Sequence, residues 1–469
     1  MTYETQRKMT SAEQARRNAC LNFMKCLLVF IQVCAFTAVW FHFYRNSILH
    51  PYWYWGNWAV VGVFFVLYTI FTQLYGGFHI KTSRASDLFY SLLIGSVFPT
   101  LIIYCVICLL SYHLANPLPL VLLWAAELLI SMIWSQMAVL LSDFLFPPKR
   151  TCVIYGNEDS YEVVSSLQKM NWRFHFTDIL RASDHGENLP DILNAVRDSE
   201  AVFLCGVSSS VRNKVLKYCI DQDIQVYIRP NISDILISGA ARFHMANTPI
   251  LHCTRSKATF GYRIVSRFMD IFFSSLALVL ASPVMLVTAL AIRLYDGGPA
   301  LYKQVRLTEN GKRFLIYKFR SMRMDAEKDG VARLACENDD RITPVGHIIR
   351  KFRLDELPQL INILKGDMAI VGPRPERPEI AEQYERQMPE FRLRLQVKAG
   401  LTGYAQIYGK YNTEPYSKLE MDLLYISNRS ILQDIRLMFA TIKILFQSES
   451  TEGIQSGMTT AEKEHTSAS

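Results

Sequence analysis

The first 150 residues are dominated by runs in which nearly every position is apolar, and only beyond them do short apolar and polar stretches alternate. Runs at 26–44, 58–75, 88–110 and 118–141 are each long enough, as helices, to cross a hydrocarbon core of roughly 30 Å, and they predict four spans. From 151 to about 229 the pattern changes. TCVIY, RFHFTDI, AVFLC and IQVYIR read as strands, with helical patterns near 161–169, 191–198 and 211–222 between them. That alternation predicts a small doubly wound α/β domain.

A fifth apolar run covers 271–292 and carries Ser282-Pro283 at its middle. Arg263 and Arg267 precede it, Arg293 follows it, and further basic residues accumulate beyond. A spanning helix would therefore export a Lys- and Arg-rich segment, against the positive-inside rule. Proline within a helix removes one backbone hydrogen bond, and a neighbouring serine hydroxyl can take up a freed carbonyl. These features predict a bent, re-entrant helix over about 264–294. Past 295 the chain is soluble in composition; 435–446 reads as an interfacial helix and 447–469 as a disordered tail.

Length and charge narrow the picture. A chain of 469 residues exceeds what one core usually fills, so two or three domains are expected. The net charge of +8 suits nucleic acid, anionic lipid or a phosphorylated substrate, and membrane-length segments favour the last two. Arg7, Lys8, Arg16, Arg17 and Lys25 precede the first span, Lys81 and Arg84 separate the second and third, and Lys149 and Arg150 follow the fourth. The other two loops carry only Arg45, so the amino terminus and everything after 146 are expected in the cytosol. Ten scattered cysteines form no paired zinc pattern, as in a reducing compartment. The basic amino-terminal segment leads into a full-length span with others after it, so no cleavable signal is expected. Gly156 follows the first predicted strand, but YGNEDS lacks the further glycines of a dinucleotide fingerprint, so this domain is expected not to bind one.

The candidate chemistry lies in RLDELPQLINILKGDMAIVGPRPE, residues 353–376. Leu354, Leu357, Leu360, Ile361 and Leu364 share one helical face, with Asp355, Gln359 and Asn362 opposite. Pro358 fits only the first turn, which places Asp355 and Glu356 at or beside a helix amino terminus. There a carboxylate is ordinarily a cap, and the same terminus can seat a phosphate. The neighbourhood is rich in cations: Lys303, Arg306, Lys312, Arg313, Lys318, Arg320 and Arg323, then Arg341, Arg350 and Arg353, then Arg374 and Arg377. The guanidinium fork matches phosphate oxygens, and the prolines around Arg374 stiffen its backbone. Interleaved with glycine, proline and aromatic residues around a carboxylate pair, these cations suggest a diphosphate site.

YKQ-x-R-(x)4-G-(x)5-YKFRSMR, RIT-x-x-G, LDELPQLINILKGDM, VGPRPE and GLTGYAQIYGK, in that order, resemble the catalytic domain of the bacterial sugar transferases, the monotopic polyprenyl-phosphate glycosylphosphotransferases. The four spans and the α/β domain resemble the long form of that family, which initiates exopolysaccharide or capsule units. The resemblance implies a multidomain membrane protein: a four-helix transmembrane bundle (1–147), a small α/β Rossmann-like, degenerate nucleotide-binding-like domain (148–250), and a mainly helical α+β catalytic domain with a re-entrant membrane helix (259–446). It implies transfer of a sugar-1-phosphate from a UDP-sugar to undecaprenyl phosphate with release of UMP, at the cytosolic face of the bacterial cytoplasmic membrane.

By the same resemblance, Asp355 is the nucleophile of an aspartyl intermediate and Glu356 holds Mg²⁺. Lys303, Arg320, Arg353 and Arg374 position phosphate oxygens, with Arg306, Lys318, Arg341 and Arg377 as further phosphate-binding candidates. Ser282 and Pro283 set the membrane bend. The expected partners are the UDP-sugar, undecaprenyl phosphate and the lipid bilayer, with a homodimer open and nucleic acid not expected. Ala399 stands where many members have proline, which predicts a less rigid loop. Two other readings stay open: a metal-dependent glycosyltransferase using Asp339-Asp340 and releasing UDP, and a non-catalytic membrane scaffold of polysaccharide assembly.

Overall fold

Four long helices open the chain in the computed structural model: α1 (Ser11–Val39), which runs on through a π-helical turn at Trp40–Tyr44, α2 (Trp55–Leu74), α3 (Ala85–Ser111) and α4 (Leu118–Leu145). The structure describes residues 11–48, 55–156, 158–168, 172–182, 188–255, 258–326, 339, 341–409 and 414–445. The helices bury Leu28, Phe36, Phe64, Tyr68, Leu88, Leu92, Ile103 and Ile107 among themselves while Phe30, Leu101, Leu109, Leu122, Ile133 and Leu140 face outward. A helix apolar on both its packed and its outer side is matched to lipid rather than water. Among the described residues, five helices are long and apolar enough to cross a membrane, these four and one near the middle of the chain. The molecule is a membrane protein with an α/β domain.

That domain follows directly. Strands β1 (Lys149–Tyr155), β2 (Phe174–Arg181), β3 (Ala201–Cys205) and β4 (Gln225–Ile228) form one parallel sheet in the order β2-β1-β3-β4. Helices α5 (Glu158–Gln168), α6 (Leu189–Arg197) and α7 (Ser209–Asp221) connect them. Cys152, Ile154, Val202, Leu204, Val211 and Val215 form the core, which explains the nearly continuous apolar runs of β1 and β3. The strand order reverses between β1 and β3, the usual place for a ligand in such sheets. Here the two chain ends close on each other: Gly156 N–H donates to the Cys205 carbonyl at 3.0 Å, and a Cβ on Gly156 would lie 2.1 Å from the Gly206 carbonyl oxygen. The glycine serves close backbone packing.

The chain divides into two units, Met1–Arg229 and Pro230–Ser469. The second begins with α8 (Ile232–Ser238), started by a reciprocal cap between Asn231 and Asp234, and a hairpin of β5 (Ala241–Met245) and β6 (Thr248–His252). Ile232 and Ile235 enter a core shared with Val371, Tyr384, Leu419, Leu423 and Leu437, so residues 232–235 belong with the C-terminal unit. Then come α9 (Phe260–Asp296), the antiparallel hairpin β7 (Leu301–Leu307) and β8 (Arg313–Phe319), α10 (Pro344–Lys351) and α11 (Gln359–Lys365). The remainder is β9 (Ala369–Val371), α12 (Pro378–Gln387), β10 (Gly400–Thr402) parallel to β9, α13 (Tyr404–Tyr408), α14 (Pro415–Ser427) and α15 (Ile431–Leu445). Asp340 and the tail 447–469 lie outside the described residues.

Helix α9 stays helical through Pro283. The carbonyl that Pro283 leaves without its helical donor is that of Val279, and Ser282 Oγ donates to it at 2.8 Å. One side of α9 is docked along its whole length. Arg267 donates to the Ile363 and Leu364 carbonyls at 2.7 Å each, and Asp270 accepts from Ile370 N–H at 2.9 Å. Ala277 and Leu278 meet Leu360 and Ile363, while Ile292 packs with Phe319 and Ile349. The other side exposes Phe268, Phe272, Val279, Leu280, Leu286, Val287, Leu290 and Leu294.

A candidate phosphate-handling site

Asp355 and Glu356 sit on a 3₁₀ turn, Leu354–Glu356, between α10 and α11. Two residues punctuate it. Arg353 adopts a left-handed backbone (φ 53°), uncommon for a residue with a side chain, and ends α10. Pro358 then stands at the N-cap of α11, and no side-chain hydrogen bond caps that helix. Neither acid does the ordinary work of a cap.

Glu356 gathers the charge. Its Oε1 accepts from Arg374 Nη2 at 2.9 Å and lies 3.4 Å from Lys318 Nζ. Burial pushes the Glu356 carboxyl up, but the charges of Arg374, Lys318 and Arg353 outweigh it and hold the group well below the usual carboxylate range. Asp355 moves the opposite way: burial and then the Glu356 charge raise it, only partly opposed by Lys318, Arg350 and Arg374. No donor among the described residues bonds the Asp355 carboxylate. One acid is thus pinned as an anion, while the carboxyl of its neighbour is raised and has no hydrogen-bond partner among the described residues.

Strand alternation sorts the cations of the β7–β8 hairpin. Phe314, Ile316 and Lys318 share the inward row of β8, and Arg306 pairs across from Phe314, so Lys318 and Arg306 point into the unit. Lys303 pairs across from Tyr317, on the other face, and its ammonium lies 5.6 Å from the Tyr317 ring centre. Arg320 is buried at the end of α9 in an ion pair with Asp296. Arg341 grips Asp339 with two hydrogen bonds, 2.8 and 2.6 Å. Arg377 is the N-cap residue of α12. The structure therefore brings Glu356 together with Lys318 and Arg374, sets Arg353 beside them, and gives Lys303, Arg320 and Arg341 other neighbours.

The polar face assigned to α11 is not solvent-exposed. Asn362 is fully buried: its Nδ2 donates to the Leu315 carbonyl at 2.7 Å and its Oδ1 accepts from Tyr317 N–H at 2.9 Å. It completes the free edge of β8, as a buried amide must, and so fixes the 3₁₀ turn relative to Lys318.

Arg374 is held by residues that the sequence pattern did not single out. Arg394, only 6 % exposed, donates to the Arg374 carbonyl at 2.9 Å and forms an ion pair with Asp422 at 2.8 Å. It also lies 3.5 Å from Glu376. Burial pushes Asp422 up to about 6, with Arg394 opposing. Arg306 donates to the Pro375 carbonyl at 3.3 Å, and Leu307 N–H to the Glu376 carbonyl at 3.0 Å. An acid on the apolar stripe Leu419, Leu423, Ile426 is the signal that could have revealed Asp422; Arg394 had none. Gly372 and Gly400 meet so closely that a Cβ on Gly400 would lie 2.1 Å from Gly372 N.

Ala399 is not a loose substitute for proline. Its N–H donates to Thr308 Oγ1 at 3.2 Å, while that hydroxyl donates to the Asp367 carbonyl at 2.9 Å. Ala399 and Thr308 thus form a pair that proline could not make. Thr308→Val, which orphans a buried N–H, is expected to destabilise the protein by about 1–3 kcal/mol. Ala399→Pro, which deletes the N–H itself, is expected to cost less. Thermal unfolding of the two variants tests the order.

The chain belongs to the bacterial sugar transferase family: the model of that family, described as "Bacterial sugar transferase", matches residues 261–448. A putative undecaprenyl-phosphate N-acetylgalactosaminyl 1-phosphate transferase of Bacillus subtilis is 47% identical over 142 residues, 30% of this chain and 79% of that protein. The UDP-N-acetylgalactosamine-undecaprenyl-phosphate N-acetylgalactosaminephosphotransferase of Aeromonas hydrophila is 37% identical over 235 residues, 50% of this chain and 55% of that protein. The UDP-glucose:undecaprenyl-phosphate glucose-1-phosphate transferase of Escherichia coli is 37% identical over 234 residues, 49% and 50% of the two chains. The chain spans about half the length of these last two relatives.

Proposed function

We propose that this chain transfers a sugar-1-phosphate from a UDP-sugar to undecaprenyl phosphate and releases UMP, as the first membrane step of exopolysaccharide or capsule synthesis. The observation that carries the reading is the division of labour in the dyad: Glu356 takes Arg374 and Lys318, and Asp355 is left without a hydrogen-bond partner among the described residues, its carboxyl raised. Asp355 attacks the phosphorus that bears the sugar; its new P–O bond forms as the bond to UMP breaks. UMP departs, a phosphate oxygen of undecaprenyl phosphate attacks the same phosphorus, and the carboxylate is restored. Splitting the transfer lets a soluble donor and a lipid acceptor use one site in turn. Arg374, and Lys318 beside it, are placed to bind phosphate oxygens when these displace Glu356 from their charge.

The site suits Mg²⁺. Both cations lie on Oε1 of Glu356, leaving Oε2 as a hard oxygen ligand, and Mg²⁺ commonly takes one or two carboxylates with substrate phosphates completing its shell. Glu356 would hold the ion, which neutralises diphosphate charge. The competing pair fits a metal less well, because Asp339 is already gripped by Arg341.

The placement proposed is a four-helix bundle in the bacterial cytoplasmic membrane, a Rossmann-like domain without a nucleotide, and the catalytic domain on the cytosolic face. Support for a re-entrant α9 comes from its docking: residues on both sides of Pro283 rest on one polar unit, which cannot lie on both sides of a bilayer.

The raised Asp355 pKa sets a pH dependence. The nucleophile works ionised, so kcat/KM should fall on acidification through a pKa above that of an ordinary aspartate, and Glu356, pinned lower, should not contribute that limb. Stopped assays of UMP release across pH measure it; a limb at the ordinary aspartate value would contradict the assignment. The activity itself is tested by incubating membranes that carry the protein with undecaprenyl phosphate and a panel of UDP-sugars. UMP should appear with at least one donor. UDP instead would favour a glycosyltransferase, and no nucleotide product a scaffold.

A further inference from the structure

Across residues 26–41, 55–74, 88–111 and 118–142, the apolar stretches of α1 to α4, the sequence contains one Asp, Glu, Lys or Arg: Glu127. Such a residue inside a membrane segment is costly and almost always faces the bundle interior, where a partner answers its charge. Glu127 is 0% exposed, and neither carboxylate oxygen has a hydrogen-bond partner among the described residues. Gln32 Oε1, the Tyr68 hydroxyl and Thr72 Oγ1 are among the other buried oxygens in that condition. They lie in one region of the helices, where the charge of Glu127 acts on Tyr68. Gln32 Nε2 on α1 donates to the Glu127 carbonyl at 3.3 Å and to Ser131 Oγ at 3.4 Å, both on α4. The Tyr68 hydroxyl on α2 lies beside Gln32, Ser131 and Thr72.

We propose that these side chains form a buried cation site, occupied by one dehydrated monovalent ion of the size of Na⁺. Every unanswered atom is an oxygen, the donor type that hard cations take. Gln32 has both amide hydrogens engaged at 3.3 and 3.4 Å, which leaves its carbonyl oxygen as the ligand. A single carboxylate balances a single positive charge, whereas a divalent ion would leave an uncompensated charge in an apolar interior. Ligands from α1, α2 and α4 make the ion a clamp on the membrane unit. The rival occupant is a proton on Glu127.

Tryptophan fluorescence reads this unit selectively, because all seven tryptophans precede residue 173. The full-length protein in lipid nanodiscs is unfolded thermally in NaCl and in N-methylglucamine chloride of equal ionic strength. The midpoint should climb by about 2–4 °C for each tenfold rise in Na⁺ above the dissociation constant. Glu127→Gln, neutral and nearly isosteric, should fold but lose the dependence on Na⁺. Tyr68→Phe, which removes one ligand, should keep the dependence and shift it to higher Na⁺. Equal wild-type midpoints in the two salts at every concentration would overturn the proposal and leave Glu127 protonated. A dependence that persists in Glu127→Gln would overturn it as well.

Discussion

With Asp355 as the proposed nucleophile, Asp355→Asn is expected to lower transfer by about three orders of magnitude or more and to leave the protein at least as stable as the wild type. The loss follows from nucleophilicity: an amide oxygen cannot form the ester, and removing a covalent nucleophile characteristically has effects of this size or larger. The stability follows from the sign of the pKa shift. Burial and the Glu356 charge raise Asp355 in the folded state, so its contribution to stability is present below the unfolded aspartate pKa and is lost as pH rises through the raised value. Ionising Asp355 in the folded protein carries a penalty, which asparagine removes. UMP release and thermal unfolding at neutral pH check both halves. A variant that loses activity because it unfolds would point to a structural carboxylate instead.

Arg394→Met is expected to destabilise the C-terminal unit by about 3–5 kcal/mol, the cost typical of removing one member of a buried ion pair. Asp422 would be left buried without its partner, and the Arg374 carbonyl without its donor. Asp422→Leu in the same chain removes the stranded acid and should restore most of that stability, since an apolar pair of similar volume often substitutes well for a buried ion pair. Activity should not return with it, because the backbone of Arg374 remains unheld. Urea unfolding of the single and double variants, alongside UMP release, separates the two effects. Recovery of activity together with stability would mean that Arg394 serves folding alone.

How far the sequence reaches differs between elements. The four N-terminal helices and the strands β1 to β4 are legible because their signals are long or strongly patterned, and the observed bounds differ from the expected ones mainly at the helix ends. The turn that carries Asp355 and Glu356 is legible too, since Pro358 restricts where α11 can begin. Less legible was the sorting of the cations. Lys303 and Lys318 look equivalent along the chain, yet the hairpin register puts them on opposite faces, and register depends on pairing between distant residues. The same limit hides Asn362 and Arg394. Each reads as an ordinary polar residue until a partner at long sequence distance, the Leu315 carbonyl or Asp422, makes its burial favourable.

The central claim is that Asp355 carries the sugar phosphate between two substrates, and one measurement addresses it most directly. The purified full-length protein is incubated without lipid acceptor with a UDP-sugar bearing ³²P in the phosphate next to the sugar, and protein-bound label and UMP are counted together. The account predicts labelling at Asp355, mapped by mass spectrometry, with UMP in matching amount, and discharge of that label when undecaprenyl phosphate is added. UMP released only when the acceptor is present, with no labelled protein before it, would contradict the account and leave a single direct displacement in its place.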